Sequence, residues 1–264
     1  MIIDFHTHAF GEKIVRRAMA SLISNSGGLL PCTDGTVCGL LQCEKQAGVD
    51  RCVVLNIATK PSQQRVVNDF AISLLHTPGL VPFGSVHPFA PDALDELDRI
   101  AQAGLLGIKL HPDYQHFYVD DDRALPVYEK ASALGLITLF HSGVDIGFPQ
   151  PVHCTPKRLQ RVLPAFTAPV VAAHLGGWLL WDEVETYLCG TRAYLDTSFL
   201  YGRIPPKTAL RIIERHGSDH VLFGSDAPWG APDEELRWIR SLPLKEADRC
   251  AILGLNAARL LRLS

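Results

Sequence analysis

Residues 2–8 read Ile2-Ile3-Asp4-Phe5-His6-Thr7-His8, a short apolar run that closes on two histidines. The pattern recurs. Runs rich in Val, Ile, Leu and Phe lie at 51–58, 80–87, 107–111, 137–141, 170–174, 193–198 and 221–226, each ending near a Gly, Pro, His or Asp. Near-continuous apolar runs suit parallel strands covered on both faces. Between them fall helical patterns at 39–47, 61–75, 91–103, 120–134, 157–163, 180–188, 205–216, 232–241 and 246–263. Several open with proline at a first helical position, as at Pro61, Pro91 and Pro205. Eight β–α alternations predict an α/β fold, a single (β/α)8 TIM barrel of the metal-dependent hydrolase type, as one domain over 1–264. A doubly wound sheet is the rival, but no G-x-G-x-x-G follows any of the runs. Segment 12–35 breaks the alternation. It reads as a helix near 13–23 and then a Gly-rich loop, an insertion after the first strand and so over the barrel mouth.

Composition agrees with a packed globular chain. Of 264 residues, 47% are apolar and 20% charged. The balance of 28 acids against 25 bases gives a formal net charge of −3, with no basic stripe to bind nucleic acid. No apolar run approaches the ~18 residues that would span a bilayer. The first residues lack the charged start and apolar stretch of a signal peptide, so a cytoplasmic location is expected. Seven scattered cysteines without a C-x-x-C pair read as reduced thiols.

In a TIM barrel the active site forms at the C-terminal ends of the strands. Side chains alternate across a strand, so His6 and His8 face one way. The fourth run ends Lys109-Leu110-His111, the fifth on His141, the sixth on His174 and the eighth on Asp226. Packing alone does not explain so many polar groups at one rim, because buried polar groups without partners cost several kcal/mol. A cation would partner them. Neutral imidazoles with a carboxylate suit Zn, Mn, Fe or Co rather than Mg or Ca.

These strand ends resemble the amidohydrolase superfamily, in the amidohydrolase-related branch that includes aminocarboxymuconate-semialdehyde decarboxylase. The matching stretches are D-F-H-T-H at 4–8, G-I-K-L-H-P at 107–112, F-H-S-G at 140–143, A-A-H-L-G-G at 172–177, F-G-S-D-A-P-W at 223–229 and G-L-N-A-A-R-L-L at 254–261. The resemblance implies a divalent metal, zinc first, on His6, His8, His141 and Asp226. It implies His174 and Asp226 as the catalytic proton carriers. Lys109 is expected either as a cation for a substrate carboxylate or as a carboxylated bridge between two ions. His111 and Trp229 are expected at the substrate.

The leading expectation is hydrolysis of a small ester, lactone or amide by a metal-activated water. The alternative is non-oxidative decarboxylation of a small carboxylic acid in the same site, and a non-catalytic metal-binding or ligand-binding barrel is the third reading. The resemblance also carries a homodimer as an option, though no sequence feature marks an interface.

Overall fold

The structure is a computed structural model that describes residues 1–148 and 150–263. Its strands are β1 (Ile3–Thr7), β2 (Arg51–Leu55), β3 (Leu80–Phe83), β4 (Gly107–Leu110), β5 (Ile137–Phe140), β6 (Val170–Ala172), β7 (Tyr194–Asp196) and β8 (Val221–Leu222). All pair in parallel and in chain order, as β1-β2-β3 and as β4 through β8. Both seams are closed by backbone hydrogen bonds. Gly84 N donates to Gly107 O at 2.9 Å and Lys109 N to Gly84 O at 2.8 Å. On the other side Phe5 N donates to Phe223 O at 2.8 Å and His8 N to Ala227 O at 2.7 Å. The ring is therefore a barrel with no free sheet edge.

Alternate residues of its strands, among them Ile3, Phe5, Leu55, Phe83, Leu139, Val171 and Leu222, form one buried cluster inside the ring. The register of β1 slips between Asp4 and Thr7. That slip lets Phe5 pack inside, edge-on to Phe83, while the next residue, His6, still reaches the rim.

Around the ring lie α1 (Val15–Asn25), α2 (Val37–Ala47), α3 (Gln64–Ser73), α4 (Ala93–Ala103), α5 (Leu125–Ala133), α6 (Pro156–Val162), α7 (Trp181–Tyr187), α8 (Pro206–His216) and α9 (Pro232–Ser241). Their buried faces and the outward strand residues make the larger apolar cluster. The sequence reading of 246–263 as one helix needs correction. It is α10 (Glu246–Cys250), a π-helical turn (Ala251–Leu255) and α11 (Asn256–Leu260). The turn has a cause: Phe223 N, just after β8, donates to Ile252 O at 2.9 Å and takes a carbonyl that a regular helix would keep.

Gly254 sits in that turn against the N-terminal backbone, where an added Cβ would fall 2.2 Å from Met1 O. Backbone cannot yield as a flexible side chain can. Gly254→Ala is therefore expected to destabilise the fold by about 1–3 kcal/mol. Thermal unfolding of the variant reads this directly, and an unchanged midpoint would contradict the packing described.

Candidate metal centre

Six of the residues singled out in the sequence meet at the C-terminal end of the barrel: His6 on β1 and His8 just after it, Lys109 on β4, His141 after β5, His174 after β6 and Asp226 after β8. Two of them adopt left-handed backbone, His174 at φ 59° and Asp226 at φ 69°. Such geometry costs a non-glycine residue about 1–3 kcal/mol and persists only when the surroundings enforce it. Here Asp226 N donates to His6 O at 2.7 Å, and His174 N donates to Asp196 Oδ1 at 3.1 Å.

The partners of the imidazoles fix where their protons lie. His8 Nδ1 faces the Leu55 carbonyl at 2.8 Å. A carbonyl only accepts, so Nδ1 carries the proton and Nε2 keeps a lone pair. His6 Nδ1 lies 2.9 Å from Asp196 Oδ2, and His174 Nδ1 lies 3.1 Å from the Ser198 carbonyl, so the same logic leaves Nε2 of each as a lone pair. All three lone pairs point into one space. His8 Nε2 is 3.1 Å, and His6 Nε2 3.3 Å, from Asp226 Oδ1. Across the space His174 Nε2 lies 3.2 Å from His141 Nδ1.

Lone pairs facing a carboxylate oxygen at contact distance repel unless a cation lies among them. The residues present thus fit a divalent metal, with nitrogen and oxygen donors of the right kind. His6, His8 and Asp226 offer atoms within 4.8 Å of one another, and so, separately, do His111, His141 and Asp145.

The electrostatics agree. Burial, and then the Lys109 charge, push the His6 imidazole down to about 4, so it is neutral at pH 7. Burial also drives His141 and His111 well below the ordinary histidine value. Burial works to raise Asp226, but in the metal-free site His8, His6 and His174 outweigh it whenever they carry a second proton, and they hold the carboxyl near 2. Lys109, pushed down to about 8 by burial, places Nζ 3.2 Å from His6 Nε2 and supplies a positive charge against the lone pairs. It is almost wholly buried.

Beside this centre opens a pocket. Tyr114, Trp178, Phe199 and Trp229 wall it, His141, His174 and Asp226 stand at its base, and Leu22, Ser26 and Leu29 border it from α1 and the loop beyond. Among the described residues no Lys or Arg lines it. Of the three residues expected at the substrate, Trp229 lines the pocket, whereas Lys109 lies beneath His6 and His111 stacks on His141 with ring centroids 4.0 Å apart. Arg203 lies over the Phe199 ring, with its guanidinium carbon 3.6 Å from the ring centroid.

Sequence reasoning missed Asp196, Ser198 and Asp145. Asp196 and Ser198 stand in Asp196-Thr197-Ser198 at the end of the seventh run, and the polar strand end was the signal available. Ser198 Oγ donates to Asp196 Oδ1 and lies 2.9 Å from His174 Nδ1, so the two residues hold both His6 and His174 in place. Asp145 follows His141 by four residues on a loop, where spacing carries no facing rule.

The family profile described as Amidohydrolase matches residues 3–263. None of the curated proteins matches the chain. Several solved structures share the fold. 5-Carboxyvanillate decarboxylase LigW from Sphingomonas paucimobilis is similar with TM-score 0.75 and 19% identity, over 100% of this chain and 99% of that one. A 2,6-dihydroxybenzoate decarboxylase complexed with 2,6-dihydroxybenzoate is similar with TM-score 0.77 and 17% identity, over 99% of each chain. A dihydroxybenzoic acid decarboxylase from Polaromonas sp. JS666, with bound manganese and the inhibitor 2-nitroresorcinol, gives 0.72 and 17%, over 99% of this chain and 97% of that one.

Proposed function

The chain belongs to the amidohydrolase family, and from that membership we propose that it is a metal-dependent decarboxylase of a small aromatic carboxylic acid. The observation that carries the reading is the set of inward lone pairs of His6, His8, His174 and Asp226 beside an aromatic-walled pocket free of Lys and Arg among the described residues. A substrate carboxylate entering that pocket meets no side-chain cation on its walls, so it is drawn to the centre. The similar structures support the same chemistry, since the three described above are decarboxylases by name. This reverses the sequence ranking, in which hydrolysis came first.

His6, His8, His141 and Asp226 would hold the ion, either zinc or manganese. When bound, it supplies positive charge for the substrate carboxylate and for the charge that develops as the carbon–carbon bond breaks. The protein supplies orientation and protons. Tyr114, Trp178, Phe199 and Trp229 flank a flat ring and keep water from it. Departure of CO2 leaves an electron pair on the ring carbon, which takes a proton. His174 Nε2 opens on the pocket as a lone pair while Ser198 holds its Nδ1–H, so it can take the proton that the substrate's acid group releases and pass it to that carbon. Asp196 holds the His6 proton on Nδ1, while burial and the Lys109 charge keep the ring neutral.

The test is a panel of hydroxylated and aminated benzoates beside esters, lactones and amides, run on protein loaded with zinc or manganese. CO2 release matched one to one by the decarboxylated ring is the expected outcome. Turnover confined to esters, lactones or amides would restore hydrolysis. No turnover on any compound, with metal firmly bound, would favour a binding barrel.

A further inference from the structure

The second group of potential ligands, His111, His141 and Asp145, has the composition of a metal site but not its protonation. Tyr114 N donates to His111 Nδ1 at 3.4 Å, so His111 carries its proton on Nε2 and has no lone pair there for an ion. That Nε2–H faces Asp145 Oδ2 at 3.4 Å. The His141 ring lies parallel to it, 8° from coplanar, and presents its own Nε2 to the same oxygen at 4.0 Å. His141 Nε2 is buried and has no hydrogen-bond partner. Asp145 is itself pinned, because Gly147 N donates to Oδ1 at 2.7 Å.

We infer that Asp145 is a positioning residue: its carboxylate holds the proton of His141 on Nε2 and so turns the Nδ1 lone pair toward the metal centre. A neutral imidazole has one proton and two nitrogens. With the proton on Nδ1, His141 donates to His174 Nε2 at 3.2 Å and both nitrogens are spent on each other. With the proton on Nε2, Nδ1 and the His174 Nε2 become two free donors at the base of the pocket. A carboxylate beside Nε2 favours the second form, because an acceptor facing a lone pair repels and an acceptor facing N–H attracts. At 4.0 Å the contact is a charge–dipole attraction rather than a hydrogen bond, and it sets the tautomer without needing to be one. His111 completes the device. Its stacked ring sets the plane of His141, and its own Nε2–H fixes the shared oxygen.

The inference rests on His141 being a ligand, and the experiment separates the two ideas. Zinc affinity is measured by competition with a chromophoric chelator for the intact protein, Asp145→Ala, Asp145→Asn and His141→Ala. Ring-nitrogen NMR of the metal-free protein reads which nitrogen of His141 is protonated. Loss of a partner that orients a ligand typically weakens metal by about 10–100-fold. Asp145→Ala is expected to lose that much, Asp145→Asn less because the amide oxygen still accepts, and the Nε2–H signal should vanish in the alanine variant. If His141→Ala loses zinc while both Asp145 variants bind as tightly as the parent, the positioning role is wrong and the ligand assignment stands. If no variant loses zinc, the ligand assignment fails with it. A drop from two equivalents to one in the Asp145 variants would overturn the inference in favour of a second ion on His111, His141 and Asp145.

Discussion

His8→Ala is expected to strip the protein of its divalent ion and abolish turnover while the barrel still folds. The side chain touches little else, with one bond from Nδ1 to the Leu55 carbonyl and one nitrogen facing the centre. Structural zinc sites gain about 10–16 kcal/mol from four ligands, so one ligand's share is roughly 3 kcal/mol, about a hundredfold in affinity. His6→Ala removes the same kind of donor but does further damage. It leaves Asp196 Oδ2, in a fully buried carboxylate, without its 2.9 Å partner. An orphaned buried acceptor costs about 1–3 kcal/mol, so this variant should also melt earlier. Elemental analysis and a melting curve on both variants check the pair. Full metal content in His8→Ala would sink the site assignment. Equal melting of the two would sink the role given to Asp196.

Metal-free protein should lose stability steeply as pH falls from about 6.5 to about 4. The sign follows from His6. In the unfolded chain it takes a proton near 6.5, whereas in the fold burial and Lys109 hold it to about 4. Between those values the unfolded state binds more protons, so acid favours unfolding. A shift of that size corresponds to about 3 kcal/mol for a buried group. His141 and His111 are displaced in the same direction and steepen the fall. Lys109 acts at the other end. Its value drops from 10.5 to about 8, so stability should rise again as pH climbs through that interval. Denaturant titrations of the apo protein across this range provide the test. A flat acid limb would mean that the imidazoles are not buried as neutral bases. With metal bound the acid limb should remain but begin from a higher plateau, since the ion binds the folded state and protons compete for its ligands.

The barrel was legible because eight apolar runs each had one face in the ring and one under helices, and both demand aliphatic residues. The site was legible because His6, His8, Lys109, His141, His174 and Asp226 stand where those runs stop. Strand ends were not. The run 221–226 was expected as strand throughout, yet β8 covers only Val221–Leu222. Phe223 turns its N–H to Ile252, and Asp226 enters left-handed backbone to aim its carboxylate. A site residue has to leave the ladder to face the centre, and local propensity does not report that. The same limit hid the interruption at 251–255, whose cause lies just after β8. Asp145 escaped for a related reason: its meaning comes from two stacked rings on different strands, 34 and 4 residues away.

Leu22, Ser26 and Leu29 bring one continuous stretch of chain to the pocket, and none of the proposed ligands belongs to it. One border of the pocket is therefore separate along the chain from every proposed metal donor. A changed codon between 22 and 29 can reshape what is admitted and leave every metal donor as it was.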